Sequence, residues 1–204
     1  MTRVPHIGVL CLQGSFAEHI MSLSRLGADV AQVRLPAQLA SIDALVIPGG
    51  ESTTFLKLMD EFGLRDPLRK AISGGLPVLA TCAGVVVLAS EIVSHKMTPL
   101  GLLNVQIARN AFGRQVESFE EDLTIDGLQG EPFRGVFIRA PIIRSCGDGV
   151  NVLARLRNGT IVACRQDRIL ATSFHPEFVP DNRVHQYFLH MVHESVGGSS
   201  APSN

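Results

Sequence analysis

Leu76-Pro77-Val78-Leu79-Ala80-Thr81-Cys82-Ala83-Gly84-Val85-Val86-Val87-Leu88-Ala89-Ser90 is the stretch whose reading decides the fold of this 204-residue chain. It begins as a short apolar run behind Gly74-Gly75 and Pro77, which reads as a buried strand of a parallel sheet. Small residues follow from Ala80 to Gly84, and Val85 to Ser90 suits a helix packed on that sheet. A strand turning sharply into a helix exposes the side chain at its corner, as in a nucleophile elbow. Here that side chain is Cys82. Its thiol stands at a helix N-terminus, where the dipole and unbonded N–H groups favour a thiolate. The N–H of Ala83 faces the place where an oxyanion would develop. Cysteine in an apolar run is more often a small buried hydrophobe. Two features turn the reading toward chemistry: the frame of small residues, and the distant segment Ser173-Phe174-His175-Pro176-Glu177. Cys, His and Glu in that order supply a nucleophile, a base and an acid that orients the base.

Outward from this stretch the chain alternates strands and helices. Ile7–Leu12 is a first buried strand, ended by Gln13-Gly14. Ser15 is the expected cap of a helix reaching Leu26, with Phe16, Ile20, Leu23 and Leu26 on one face and Gly27 as its stop. Asp29–Val33 and Ala44–Ile47 are further strands. The latter ends at Pro48-Gly49-Gly50-Glu51-Ser52, where glycines let the backbone approach a ligand and Ser52 is the expected cap of a helix from Thr53 to Phe62. Taken alone, that loop is a plain strand-to-helix turn, and it lacks the ending of a phosphate loop. The pattern predicts a three-layer α/β fold with a mostly parallel central sheet and helices on both faces. In such sheets ligands bind beyond the carboxyl ends of the strands, where Gly14, the Pro48–Ser52 loop and Cys82 fall.

After Ser90 the segments shorten. Leu103–Ala108 and Gly135–Ala140 read as strands. Arg109 and Arg139 follow strand-like runs, where an arginine grips a carboxylate or simply meets solvent. Val152–Arg157 and Thr160–Cys164, split by Asn158-Gly159, read as a hairpin. Arg168–Phe174 is a last buried strand that delivers His175, and Asp181–Glu194 is a closing helix. For His185, His190 and His193 on that helix, solvent contact or packing is the preferred reading, and His6, His19 and His95 have no carboxylate at short spacing. Residues 1–196 are expected to form one domain, with 197–204 a flexible tail.

Composition limits the function classes. The net charge of −1 gives no reason to expect a nucleic-acid or anionic-membrane partner. Hydrophobic residues make up 46% and mean hydropathy is +0.23, enough for a full core. No apolar run has the form of a signal peptide or the length to span a bilayer. Cys11, Cys82, Cys146 and Cys164 are widely spaced, with no metal-type pairing. Free thiols in a reducing cytoplasm are expected, with no metal and no cofactor.

With these residues in view, the chain resembles the class I, triad-type glutamine amidotransferases. Within them it is similar to the glutaminase subunits of pyridoxal 5′-phosphate synthases. The resemblance rests on Gly8-Val9-Leu10 with Leu12-Gln13-Gly14, Pro48-Gly49-Gly50-Glu51-Ser52-Thr53-Thr54, Thr81-Cys82-Ala83-Gly84, Arg109-Asn110-Ala111-Phe112-Gly113-Arg114-Gln115, Phe137-Ile138-Arg139-Ala140-Pro141 and His175-Pro176-Glu177. These segments occur in family order from about residue 6 to 194. The resemblance implies a flavodoxin-like amidotransferase fold, with Cys82 as nucleophile, His175 as base and then acid, and Glu177 as orienter. It implies that L-glutamine is held by Gly50, Glu51, Ser52, Arg109, Ile138 and Arg139, and that backbone N–H groups of Gly50 and Ala83 form the oxyanion hole. Hydrolysis would run through a thioester, and the ammonia would pass to a TIM-barrel synthase subunit near Gln13. Ala80 stands where the elbow usually has glycine, and a small shift of the elbow is expected. Two other readings remain open: an amidotransferase subunit serving another synthase, and a non-catalytic member of the fold with a reactive cysteine.

Overall fold

A computed structural model describes residues 3–93, 96–109 and 118–197. His95, the Asn110–Gln115 part of the arginine-rich motif and the tail after residue 197 lie outside the described residues. Gly197, expected in the tail, is the last residue of the closing helix.

The first half alternates as the pattern predicts: β1 (His6–Leu10), α1 (Phe16–Arg25), β2 (Asp29–Val33), β3 (Ala44–Ile47), α2 (Ser52–Glu61), α3 (Arg65–Ser73), β4 (Val78–Thr81), α4 (Ala83–Leu88) and β5 (Ala89–Val93). Then follow β6 (Leu103–Ala108), β7 (Ser118–Leu123), β8 (Phe133–Ile138), β9 (Ile142–Cys146), β10 (Val150–Arg155), β11 (Ile161–Gln166), β12 (Ile169–Thr172) and α5 (Arg183–Gly197). The helix after Cys82 is shorter than predicted. It stops at Leu88, because Ala89-Ser90 already belong to β5, which pairs with β6 from Ala89 onward.

The central sheet runs β2-β1-β3-β4-β12-β11-β9-β6-β5, with β10 beside β11. Its block from β2 to β12 is parallel throughout. Beyond β12 the chain returns by hairpins, so β11, β9 and β10 run antiparallel to their neighbours. β7 and β8 form a separate antiparallel pair.

Alternation along the strands divides the core into two layers. Leu45, Ile47, Val78 and Ala80 face the apolar sides of α2, α3 and α4. Their neighbours Ala44, Val46 and Leu79 face α1, α5 and the β7–β8 ribbon. Both faces of β1, β3, β4 and β12 are therefore sealed, which is why they read as apolar runs, whereas β2 at the edge is half-exposed. β1, β3, β4 and β12 end on one edge of this block, and that edge carries the candidate site.

Candidate active site

Cys82 is placed by its two flanking elements. It leaves β4 with φ 46° and ψ −103°, a backbone conformation rare for a residue with a Cβ. Such a conformation costs about 1–3 kcal/mol and persists only where its surroundings hold it. Here the Cys82 N–H donates to the Thr172 carbonyl at 2.8 Å, and its own carbonyl accepts the Val85 N–H at 3.1 Å. Gly84 lets α4 lie close to β3, since a Cβ there would come within 2.3 Å of the Ile47 carbonyl oxygen. Ala80 is fully buried in β4, in register with Ile47 on one side and Ala171 on the other. Its methyl is absorbed inside the sheet, and the corner still forms. The thiol is not on an open tip, as the elbow reading implied. Cys82 is 6% exposed and lies in the wall of a cavity of about 400 Å³. Gly50, Glu51, Ser52, Ala83, Arg109, Ile138, Arg139 and His175 share that wall, so nearly all the residues singled out in the sequence converge there. Gln13 and Glu177 stand behind it.

His175 follows the end of β12, and its N–H donates to the Val136 carbonyl at 2.9 Å. Its ring stacks on Phe178, with centroids 5.0 Å apart. Nδ1 lies 2.8 Å from Glu177 Oε1. A carboxylate only accepts, so Nδ1 carries the proton and Nε2 is left to take one. Burial alone would lower the His175 pKa, but hydrogen bonds and charge at Cys82 and Glu177 outweigh it and raise it to about 10. The Glu177 side chain is wholly buried. Burial would raise its pKa, yet the charge of His19 and the bond from His175 hold it well below the usual carboxylate range.

The glycine loop is held from β1. The Ser15 N–H donates to the Gly49 carbonyl at 3.1 Å. No peptide among the described residues is cis, so the Gly50 N–H on the same peptide points away from Ser15. Gln13 grips the next residue at both ends: its Nε2 donates to the Glu51 carbonyl and its Oε1 accepts the Glu51 N–H, each at 3.2 Å.

Glu51 takes the capping role predicted for Ser52. Glu51, not Ser52, caps α2: its carboxylate accepts the N–H groups of Thr53 at 3.1 Å and Thr54 at 2.7 Å. Arg109 Nη2 donates to it at 3.0 Å. Partial burial opposes ionisation, but the Thr54 and Thr53 donors lower the carboxyl to about 2. A carboxylate accepts two N–H bonds where a hydroxyl accepts one, and it complements the helix dipole. Ser52 becomes the first residue of α2 and is 4% exposed. Arg109 also donates to Thr53 Oγ1 at 3.3 Å. Ile138 ends β8 with its carbonyl 4.0 Å from the Cys82 sulfur, and Arg139 follows at φ 46°.

Three residues near the triad escaped the sequence reading. Ser15 stands at the N-cap of α1, but its hydroxyl makes no cap; it donates to Glu177 Oε1 at 2.6 Å. His19 and His185 are fully buried and share a contact of 3.0 Å, and His19 Nε2 lies 3.3 Å from Glu177 Oε2. Periodicity carried the signal: His19 lies three residues after Phe16 and four before Leu23, and His185 three before Phe188. Both are therefore on the buried stripes of their helices.

Among the described residues, no group of three or more His, Cys, Asp or Glu is arranged to hold a metal ion, and no helix is long and apolar enough to cross a membrane.

Known proteins resemble this chain over nearly its whole length. The model of the SNO glutamine amidotransferase family matches residues 9–194. A curated relative from Pelotomaculum thermopropionicum, "Pyridoxal 5'-phosphate synthase subunit PdxT", is 57% identical over 183 residues, covering 90% of this chain and 93% of the relative. One of the same name from Leifsonia xyli subsp. xyli is 51% identical over 198 residues, covering 96% of this chain and all of the relative. A crystal structure described as a glutamine amidotransferase superposes with a TM-score of 0.86 at 51% identity, over 91% of this chain and 98% of that one. A putative GMP synthase subunit from Thermoplasma acidophilum shares the fold alone, with a TM-score of 0.72 at 16% identity.

Proposed function

The chain belongs to the SNO glutamine amidotransferase family, and we propose that it is the glutaminase subunit of a pyridoxal 5′-phosphate synthase, with Cys82, His175 and Glu177 as its triad. Its half-identity to synthase subunits over nearly the whole chain favours this over service to another synthase. The observation that carries the triad is the buried His175–Glu177 pair, 2.8 Å apart, with His175 and Cys82 in the wall of one cavity. A non-catalytic member of the fold would need neither that alignment nor the cavity beside it.

Cys82 attacks the side-chain amide carbon of L-glutamine. His175 takes the thiol proton and returns it to the departing ammonia, and water then cleaves the thioester to give glutamate. Glu177 holds the Nδ1–H tautomer and favours the imidazolium. The Ala83 N–H, first in α4 and so without an intrahelical acceptor, forms one half of the oxyanion hole. The Gly50 N–H forms the other, supported by the turning of the Gly49 carbonyl toward Ser15. Arg109 and Arg139 attract the α-carboxylate, while Gly50, Ser52 and Ile138 shape the wall. Glu51 anchors the wall through its cap and Arg109, in place of direct contact with substrate.

Ammonia passes to a TIM-barrel synthase subunit in the cytoplasm, and Gln13 senses its docking through the Glu51 backbone. The test is ammonia release from glutamine by the parent chain and by Cys82→Ala, each with and without the synthase subunit. The parent should be strongly stimulated by the partner and Cys82→Ala should be inactive. Ammonia release by Cys82→Ala near the parent rate would reject the assignment.

A further inference from the structure

Resting on the glutaminase reading, we propose that His19 is a positioning residue of the reaction, acting through Glu177. The Glu177 carboxylate is fully enclosed and its two oxygens are served unequally. Oε1 receives Ser15 Oγ at 2.6 Å and faces His175 Nδ1 at 2.8 Å. Oε2 makes no well-directed hydrogen bond, and His19 Nε2 at 3.3 Å is its ion-pairing neighbour among the described residues. The same nitrogen lies 3.1 Å from Thr81 Oγ1. The His19 N–H thus bridges the base of the elbow strand and the acid of the triad. On the other side of the ring, Nδ1 meets His185 Nε2 at 3.0 Å, and His185 Nδ1 is itself buried without a partner. Burial, and then the charge of His19, push His185 down to about 3, so it stays neutral and fixes the His19 ring without competing for a proton.

Ordinary packing does not explain this cluster. A buried polar group without a partner costs about 1–3 kcal/mol, and an apolar side chain at position 185 would avoid that cost. The cluster abuts the one carboxylate that must stay ionised throughout turnover. After His175 gives its proton to the leaving ammonia, Glu177 no longer faces an imidazolium. A carboxylate enclosed with only neutral partners binds a proton more readily. Once protonated, it no longer fixes the Nδ1–H tautomer that the next proton transfer requires. His19 keeps a ring nitrogen within 3.3 Å of Glu177 Oε2 through that half of the cycle. The polar groups facing His19 are Glu177 from the 3-10 turn Pro176–Phe178, His185 from α5 and Thr81 from β4, with His175 and Ser15 beyond Glu177.

The test uses His19→Leu and His19→Gln in the full chain saturated with synthase subunit, with kcat, KM for glutamine and the pH dependence of kcat as readouts. His19→Leu should lower kcat roughly ten- to hundredfold, the size expected for loss of one charge-assisted contact to the ionised acid. KM should be unchanged, and the acidic limb of the pH profile should move to higher pH. Glutamine at 19 still presents an N–H, so His19→Gln should recover part of kcat and part of the limb. Should the Leu variant fail to fold, the Gln variant decides alone: a shifted acidic limb supports the role, and an unmoved limb overturns it. Parental kcat with an unmoved limb, or a kcat loss with neither limb shift nor rescue by Gln, also overturns it. Cys82→Ala in parallel separates the two claims. Its retained activity would sink the glutaminase reading, whereas its inactivity beside unaffected His19 variants would sink this inference alone.

Discussion

Gln13→Ala tests how the oxyanion hole is held. The Gln13 amide bonds the Glu51 backbone twice, at 3.2 Å each, and Glu51 immediately follows the Gly49–Gly50 peptide. Gln13 also packs on Gly50 closely enough that a Cβ there would fall 2.5 Å from its Nε2. Removing the amide frees this loop in a segment whose glycines change φ at little cost. Both bonds are long and near the surface, so each contributes about 0.5–1 kcal/mol. Their loss shifts the peptide equilibrium by about 1–2 kcal/mol, or roughly 5- to 30-fold toward the turned-away state. A hole lacking one donor loses about 10²–10³ in kcat, so turnover follows the population still holding the Gly50 N–H inward. Steady-state ammonia release at saturating glutamine and synthase should therefore fall in kcat, by at most about 30-fold. Alkylation of Cys82 by a small neutral electrophile should be unchanged, because the thiol and His175 are untouched. A kcat equal to the parent, with partner activation intact, would refute the reasoning.

Further predictions follow from the same contacts. Glu177→Gln removes a charge that raises His175, and leaves only a neutral amide oxygen to accept from Nδ1. A group raised from 6.5 to about 10 contributes stability that is complete below 6.5 and lost as pH rises through 10. The variant should lose less stability than the parent between those pH values, and its His175 should titrate lower by NMR; an unmoved titration would contradict this. Arg109→Ala should raise KM for glutamine more than it lowers kcat, by roughly tenfold or more for one charge-assisted contact; an unchanged KM would return Arg109 to a purely structural partnership with Glu51. Gly14→Ala should destabilise by at least about 1–3 kcal/mol in a denaturant melt, since Gly14 has φ +88° and a Cβ there would fall 1.8 Å from the Gly49 carbonyl oxygen.

Local pattern made the parallel block and the placement of the proposed triad legible. β2 and β3 begin and end at the predicted residues, β3 as a fully buried apolar run and β2 as a half-exposed strand behind the helix-stopping Gly27. Cys82 and His175-Pro176-Glu177 were legible because strand ends deliver them to one edge of the sheet. The antiparallel extension through β9, β10 and β11 was only partly visible, as the hairpin at Asn158-Gly159, since half-exposed strands such as Ile142–Cys146 lack strong periodicity. α3 escaped notice because its nine residues, rich in charge, show only Leu68 and Ile72 as buried anchors. The exchange of Glu51 for Ser52 as cap came from charge: a carboxylate that also meets Arg109 outcompetes a hydroxyl next to it. Ser15 and His19 were misread because their partner Glu177 lies more than 150 residues away in the chain, and no local pattern encodes that contact.

The most direct test of the account is where glutamine's reactive group meets the protein. The full chain with its synthase partner is treated with a glutamine analogue that carries an electrophilic ketone in place of the side-chain amide, and the adduct is located by peptide mass spectrometry. Cys146 is the competing thiol, since a hydrogen bond to Cys164 lowers it to about 7. The account predicts one adduct, on Cys82, whose formation is blocked by glutamine and parallels the loss of ammonia release. An adduct on Cys146 that abolishes activity, or full ammonia release with Cys82 wholly modified, would contradict it.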